Sequence, residues 1–376
     1  MLENLTIILF TRNRYEKASV VICFWLNRGA HVLLLDASSQ TDLKQQFGTK
    51  KNLVYFRAES FWERALFASN NISTKYAVIH SDDSLVVPSA LDKGISILEK
   101  EEQVGFLYAP GNFTSWWYED TSWEYSDKMS GESSFDRMIY WAEKPNDLMW
   151  GALWRSNHLR KALKIWGESM KIFPFETGLH TTSLYLAGAA LTSGQSLSGP
   201  LHLSRHWLAP IDETFKIARS VKSPFGIDLN DPENQRMFDL WRTRLLDGIN
   251  EQLESKERIT LGDLDFLLKL YEEREPNLGL KLYGNIGLKQ RLREKISIEL
   301  MKVAKEKSFL SSTAGVILML TKQFKLIKNY LNRRRCGWFR SRMISDFTEY
   351  ELLQFGIETK EFSLMRLKNY HKLFAS

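Results

Sequence analysis

The chain of 376 residues has two cysteines, Cys23 and Cys336. They are too few and too far apart in sequence for a disulfide framework or a thiolate zinc site. That scarcity suits a reducing compartment, and the cytoplasm is the expected location. No apolar run reaches the roughly twenty residues of a membrane span. The stretch from Thr177 to Ser204 contains no Asp, Glu, Lys or Arg, but Gly178, Gly188, Gly194, Gly199, Pro200 and many hydroxyls break it. Met1-Leu2-Glu3-Asn4 offers no basic n-region, and the apolar residues behind it stop at Thr11-Arg12. No signal peptide is expected. G-x-x-x-x-G-K-[ST], G-x-G-x-x-G and G-x-S-x-G are all missing, which disfavours P-loop ATPases, dinucleotide oxidoreductases and α/β-hydrolases.

What is present belongs to a folded protein, with 44% hydrophobic and 26% charged residues. The length suits two domains or one large α/β unit with additions. Net charge is +6, unevenly distributed: Met301 to Ser376 carry fifteen Lys and Arg against six Asp and Glu, so the basicity belongs to the C-terminal tail. Seven of the twelve tryptophans (Trp116, Trp117, Trp123, Trp141, Trp150, Trp154 and Trp166) fall between Ala109 and Pro174. Rings at such density serve as core or as platforms for stacking sugars.

Leu5 to Phe10 is a continuous apolar run rich in β-branched residues, the pattern of a strand buried on both faces. Tyr15 to Arg28 then places Ala18, Val21, Ile22, Trp25 and Leu26 at helical spacing, with Gly29 where a helix-terminating glycine belongs. Strands at His31 to Leu35, Leu53 to Phe56 and Tyr76 to Ile79 follow, with a helix at Phe61 to Ser69 and another from Ala90. This alternation predicts a doubly wound, mostly parallel sheet, in which ligands gather at the carboxyl ends of strands. Thr11, Asp36 and Asp82-Asp83 occupy such ends. Helical periodicity is lost from Ala109 to about Pro174. From Ile211 onward the sequence reads as helices, most clearly at Leu261 to Arg274 and Leu288 to Phe309. The domain boundary is placed near Pro210, giving units 1–210 and 211–376.

The Asp82-Asp83 pair directly follows a buried strand. Hard divalent ions such as Mg²⁺ or Mn²⁺ accept one or two protein carboxylates together with phosphate oxygens, so the pair is a candidate seat for a metal-bound diphosphate. A solvated turn that caps the next helix is the structural alternative.

Three segments together resemble the opening signatures of GT-A glycosyltransferases of the family-2 type. They are Leu5 to Arg14 (LTIILFTRNR), Leu33 to Ser39 (LLLDASS) and Tyr76 to Ser84 (YAVIHSDDS), and their order and spacing match as well. The resemblance implies a nucleotide-sugar donor and a catalytic domain over residues 1–210. It places Thr11, with neighbouring Arg12, and Asp36 at the nucleotide base, Asp82 at the ribose, Asp83 at the metal and Arg64 near the nucleotide. Trp150-Gly151-Ala152-Leu153-Trp154-Arg155 looks like the family's glycine-containing segment, which brings Gly151 into the donor and acceptor site. Phe175-Glu176-Thr177 looks like its acidic motif, but Thr177 stands where the family usually has the aspartate base. Glu176 is the nearest carboxylate able to deprotonate an acceptor hydroxyl, or else a cap for the helix that follows. His202 and His206 lie where such enzymes often place a histidine beside the metal, and imidazole can complete a mixed O/N shell around Mn²⁺.

Lys322 to Arg342 holds eight basic residues and no acidic one, preceded by Ala314 to Leu320 and containing Trp338-Phe339. That combination suits adsorption to an anionic membrane surface, with RNA binding or a solvated helix face as the competing readings. The expectation is a metal-assisted glycosyltransferase, working on a glycan or lipid-linked acceptor in bacterial surface-polysaccharide assembly. A degenerate GT-A domain that binds glycan or organises an assembly is the alternative, and Thr177 is its best support.

Overall fold

The computed structural model describes residues 2–39, 42–82, 84–108, 112–113, 128–129, 131–143, 149–173, 179–197, 202–204 and 227–283. Asp83, Glu176, His206, the side chain of His202, Trp116, Trp117, Trp123 and the basic tail lie outside that description.

The first half alternates as the apolar runs predict: β1 (Leu5–Thr11), α1 (Tyr15–Leu26), β2 (His31–Asp36), α2 (Asp42–Phe47), β3 (Leu53–Arg57), α3 (Phe61–Asn71) and β4 (Tyr76–Ser81). A short β5 (Ser84–Val86) leads into α4 (Pro88–Lys100) and β6 (Val104–Tyr108). All seven residues of β1 are buried, because helices cover both faces of the sheet. Gly29 ends α1 at φ +79°, a left-handed conformation that costs glycine little.

Next come the two-residue strands β7 (Asn112–Phe113) and β8 (Lys128–Met129), then α5 (Ser134–Glu143), β9 (Leu153–Arg155), α6 (Ser156–Met170), α7 (Leu179–Leu191), β10 (Ser193–Ser196) and β11 (His202–Ser204). Two further helices follow, α8 (Pro232–Gln252) and α9 (Leu261–Tyr283). Asp231 caps α8, its carboxylate accepting from the backbone N–H of Glu233 at 2.8 Å, with Pro232 in the first turn.

The expected loss of helical order between Ala109 and Pro174 is corrected by α5 and α6. Leu159, Ala162, Leu163, Trp166 and Met170 line the buried side of α6. Trp141, Trp154 and Trp166 are core rings, no more than 3% exposed. An indole buried at helical spacing fills the same role as leucine, so a dense run of tryptophans can hide an ordinary amphipathic stripe.

The eight-stranded sheet has the order β3-β2-β1-β4-β9-β6-β10-β8. The β3-β2-β1-β4 half is parallel throughout, while β9 runs antiparallel to both β4 and β6. The chain winds outward from β1 to β3, then crosses back to lay β4 on the other side of β1. The switch point is therefore the crevice at the carboxyl ends of β1 and β4, where open α/β sheets bind ligands. Leu5, Ile7 and Leu9 pack with α1 and α4 on one face, and Ile8 and Phe10 pack with α3, α6 and α7 on the other. The second core continues through Phe238, Trp241, Leu245, Leu264 and Leu267, so α8 and α9 share it with the sheet. The indole N–H of Trp241 donates to Ser183 Oγ on α7 at 2.8 Å, in a fully buried setting. No helix among the described residues is long and apolar enough to cross a membrane.

Candidate functional site

Two adjacent parallel strands end in groups that meet over the switch point. Leu5 pairs with Tyr76 and Phe10 with Ser81, so the ends of β1 and β4 are level. That register brings Thr11 and Asp82 together: the threonine hydroxyl donates to Asp82 Oδ2 at 2.8 Å. Arg14, at the start of α1, donates from Nη1 to Asp82 Oδ1 at 2.9 Å. The Asp82 side chain is only 3% exposed, whereas that of Arg14 is 33% exposed. These bonds offset part of the cost of enclosing a carboxylate.

The ends of β1 and β2 are laced into one platform. Asp36 is completely enclosed. Its Oδ1 accepts from the Ser38 N–H at 2.8 Å and its Oδ2 from the Tyr55 hydroxyl at 2.9 Å. Burial, then the hydrogen bond and charge of Asp36, push the Tyr55 phenol above its ordinary pKa and keep it a proton donor. Asn13 adopts φ 52°, an uncommon left-handed conformation for a residue other than glycine. Its N–H donates to Ser38 Oγ at 2.7 Å, and its side-chain oxygen accepts from the Ser39 N–H at 3.0 Å. Arg57 closes the rim by donating to the Ser39 carbonyl at 2.9 Å. Strain of this kind persists where surrounding bonds over-determine it, and it concentrates at functional sites. Arg12, beside this lattice, is exposed.

Arg64 approaches from the opposite sheet face and is 1% exposed. Its guanidinium lies 4.5 Å from the Phe61 ring centroid and 5.6 Å from that of Phe10, a cation–π arrangement, and Nε donates to the Ser60 carbonyl at 3.3 Å. Phe10, Phe61, Trp150 and Trp166 form a continuous aromatic group around it, with His180 of α7 in contact with Phe61 and Trp166. Gly151 turns the chain from Trp150 into β9 at φ +86°, where a side chain would be strained.

Among the sequence candidates, Thr11 and Asp82 touch, and Asp36 stands on the neighbouring strand. Arg64 lies beneath the aromatic group, on the other side of the sheet. His202 is on β11, paired antiparallel with β5, so its backbone stands opposite Val86 on the strand that follows the aspartate pair. Among the described residues no group of three or more His, Cys, Asp and Glu is arranged to hold a metal. β11 thus runs beside the strand that follows the aspartate pair, and carboxylate with imidazole is a donor set Mn²⁺ accepts.

Sequence reasoning missed Arg14, Tyr55 and His80. Arg14 was legible as the second basic residue in Thr11-Arg12-Asn13-Arg14, at the step into α1. Tyr55 follows from alternation along β3, in register with Leu34 and so one step across from Asp36. His80 is fully buried in β4. Its Nδ1 lies 2.6 Å from the Ser81 carbonyl, and its Nε2 accepts from the Val86 N–H at 3.3 Å. Those partners fix a neutral tautomer with the proton on Nδ1, and they tie both sides of the aspartate turn together.

No protein-family model matches the chain. No curated protein matches it either. Among solved structures, S. aureus TarS residues 1–349 superimposes with a TM-score of 0.39 at 11% identity, covering 73% of this chain and 90% of that one. A longer S. aureus TarS structure gives a TM-score of 0.36 at 10% identity, covering 72% of this chain. This chain spans 55% of the length of that longer structure.

Proposed function

We propose that the chain is a metal-assisted glycosyltransferase of the GT-A type that moves a sugar from a nucleotide-sugar donor to a glycan or lipid-linked glycan acceptor in cell-surface polysaccharide synthesis. One observation carries the reading. The three segments that resemble the GT-A signatures converge on one crevice at the topological switch point, and Thr11 and Asp82 are hydrogen-bonded across it.

In this reading Asp82 accepts from the ribose hydroxyls, and Thr11 holds its second oxygen in place. Asp36 acts at the base end through the loop of Ser38 and Ser39 that it fixes, with Arg12 at the mouth, while Arg64 braces the end of β1 from the other side of the sheet through Phe10. Gly151 lets the chain approach the transferred sugar closely. Asp83, with His202 or His206, would hold Mn²⁺ or Mg²⁺, which would supply charge neutralisation to a diphosphate leaving group. Glu176 takes the proton from the acceptor hydroxyl.

The test is nucleotide release with acceptor glycans present, a nucleoside diphosphate from UDP-, GDP- and dTDP-sugars and CMP from CMP-sugars. Glu176→Gln is expected to slow transfer by about a hundredfold or more while donor binding survives, the usual size of general-base catalysis. Full activity in that variant removes Glu176 from the mechanism. Thr177 favours a second reading, a non-catalytic glycan-binding module, which predicts glycan binding with no nucleotide release from any donor.

A further inference from the structure

The Arg14–Asp82 pair is unequal. The carboxylate is enclosed by the ends of β1 and β4, but a third of the guanidinium side chain is open to solvent. Arg14 also stands at the N-cap of α1, a twelve-residue helix, with a non-helical backbone (φ −130°, ψ 50°) and no side-chain capping bond. The first N–H groups of a helix and its macrodipole favour an anion at that end. A phosphate arriving at the mouth would thus meet a partly exposed arginine side chain and a helix N-terminus together. Arginine binds phosphate through the same N–H donors it now gives to Asp82.

We infer that Arg14 is a charge-exchange positioning residue: it holds Asp82 when the crevice is empty and moves to the donor's phosphates when a nucleotide binds, releasing Asp82 Oδ1 to accept from a sugar hydroxyl. The inference rests on the nucleotide reading of the site and adds a coupling to it. Thr11 keeps Asp82 Oδ2 oriented throughout, so the carboxylate stays aimed while its partner changes. Affinity for the nucleoside and affinity for the phosphates are then linked through one side chain. A nucleoside alone must compete with Arg14 for Asp82, whereas a nucleoside diphosphate removes that competitor as it binds.

The consequence is a change of opposite sign in two affinities. Arg14→Met keeps the length of the side chain and removes the charge. Calorimetric titration of nucleosides and their diphosphates, with Mg²⁺ held constant, should show nucleoside affinity rising several-fold. Diphosphate affinity should fall about tenfold or more, the scale of one lost charge-assisted hydrogen bond. Any result in which nucleoside affinity fails to rise overturns the exchange, including parallel loss of both, which would make Arg14 a simple brace for Asp82. The wild-type chain gives a second measurement that needs no variant. Pyrophosphate should raise nucleoside affinity several-fold, by the reciprocity of linked binding, and independent or antagonistic binding overturns the inference. A wild-type chain that binds no nucleoside diphosphate refutes the nucleotide reading itself, an outcome distinct from either of these.

Discussion

Tyr55 shows how much of the site's order depends on a single hydroxyl. Its bond to Asp36 Oδ2 is one of two that satisfy a completely enclosed carboxylate, and the other fixes the Ser38 turn. Tyr55→Phe should lower stability by about 1–3 kcal/mol, the cost of removing a partner from a buried charged acceptor. Urea denaturation checks this, and an unchanged midpoint would show the bond to be dispensable. His158 contributes a pH dependence of its own. Burial, with the positive charges of Lys161 and Arg155 adding to it, holds its pKa down to about 4 against an ordinary 6.5. A depressed histidine binds fewer protons folded than unfolded between those two values, so its contribution is present above pH 6.5 and is lost as pH falls toward 4. His158→Gln should flatten the stability profile across that window, and an unaltered slope between pH 6.5 and 4 would assign the titration elsewhere. At this scale the sequence was legible where chemistry follows strand ends, as for Thr11 and Asp82. It was silent where a partner comes from another strand, as Tyr55 does for Asp36, because register has to be known before such a pair can be named.

The parallel half of the sheet is the part that composition alone writes out. Runs such as Leu5 to Phe10 have Thr6 as their one polar residue and no charge to place on a solvated face, so they are buried on both faces and need helices between them. The β6–β9–β10 half is less legible because its strands are short and its packing depends on contacts between small and large residues. Gly194 on β10 lies against the buried Phe106 ring, where a Cβ would come to 2.3 Å from the nearest ring carbon. Phe106 cannot yield easily, since it is stacked on Trp154 with centroids 4.3 Å apart. Gly194→Ala should cost about 1–3 kcal/mol through overpacking, read as a lower thermal midpoint. A variant of wild-type stability would mean that β10 shifts to make room. The glycine is visible in the sequence, but its reason, an aromatic ring on the neighbouring strand, appears only once β10 is paired with β6.

At the scale of the molecule, α8 and α9 belong to the same apolar core as α5, α6 and α7, with Trp241 and Ser183 bonded inside it. The platform at the strand ends therefore rests on elements drawn from residues 5 to 271. Beyond the described residues, the sequence from Lys322 to Arg342 keeps eight positive charges with no carboxylate among them. We propose that this segment, with Val316, Ile317, Leu318 and Trp338 close by in sequence, attaches to an anionic lipid surface. Sedimentation with anionic vesicles and release by high salt are the expected results, since added ions shorten the screening length. Equal sedimentation with neutral vesicles would reject electrostatic attachment. Binding of a sugar nucleotide through Asp82 in the crevice between β1 and β4, as proposed above, is tested by calorimetric titration of UDP-, GDP-, dTDP- and CMP-sugars into the wild-type chain and Asp82→Ala with Mn²⁺ present. The wild type should bind at least one donor saturably, and the folded variant should lose about tenfold or more in affinity. Binding of equal strength in both, or no binding of any donor by the wild type, would contradict the proposal.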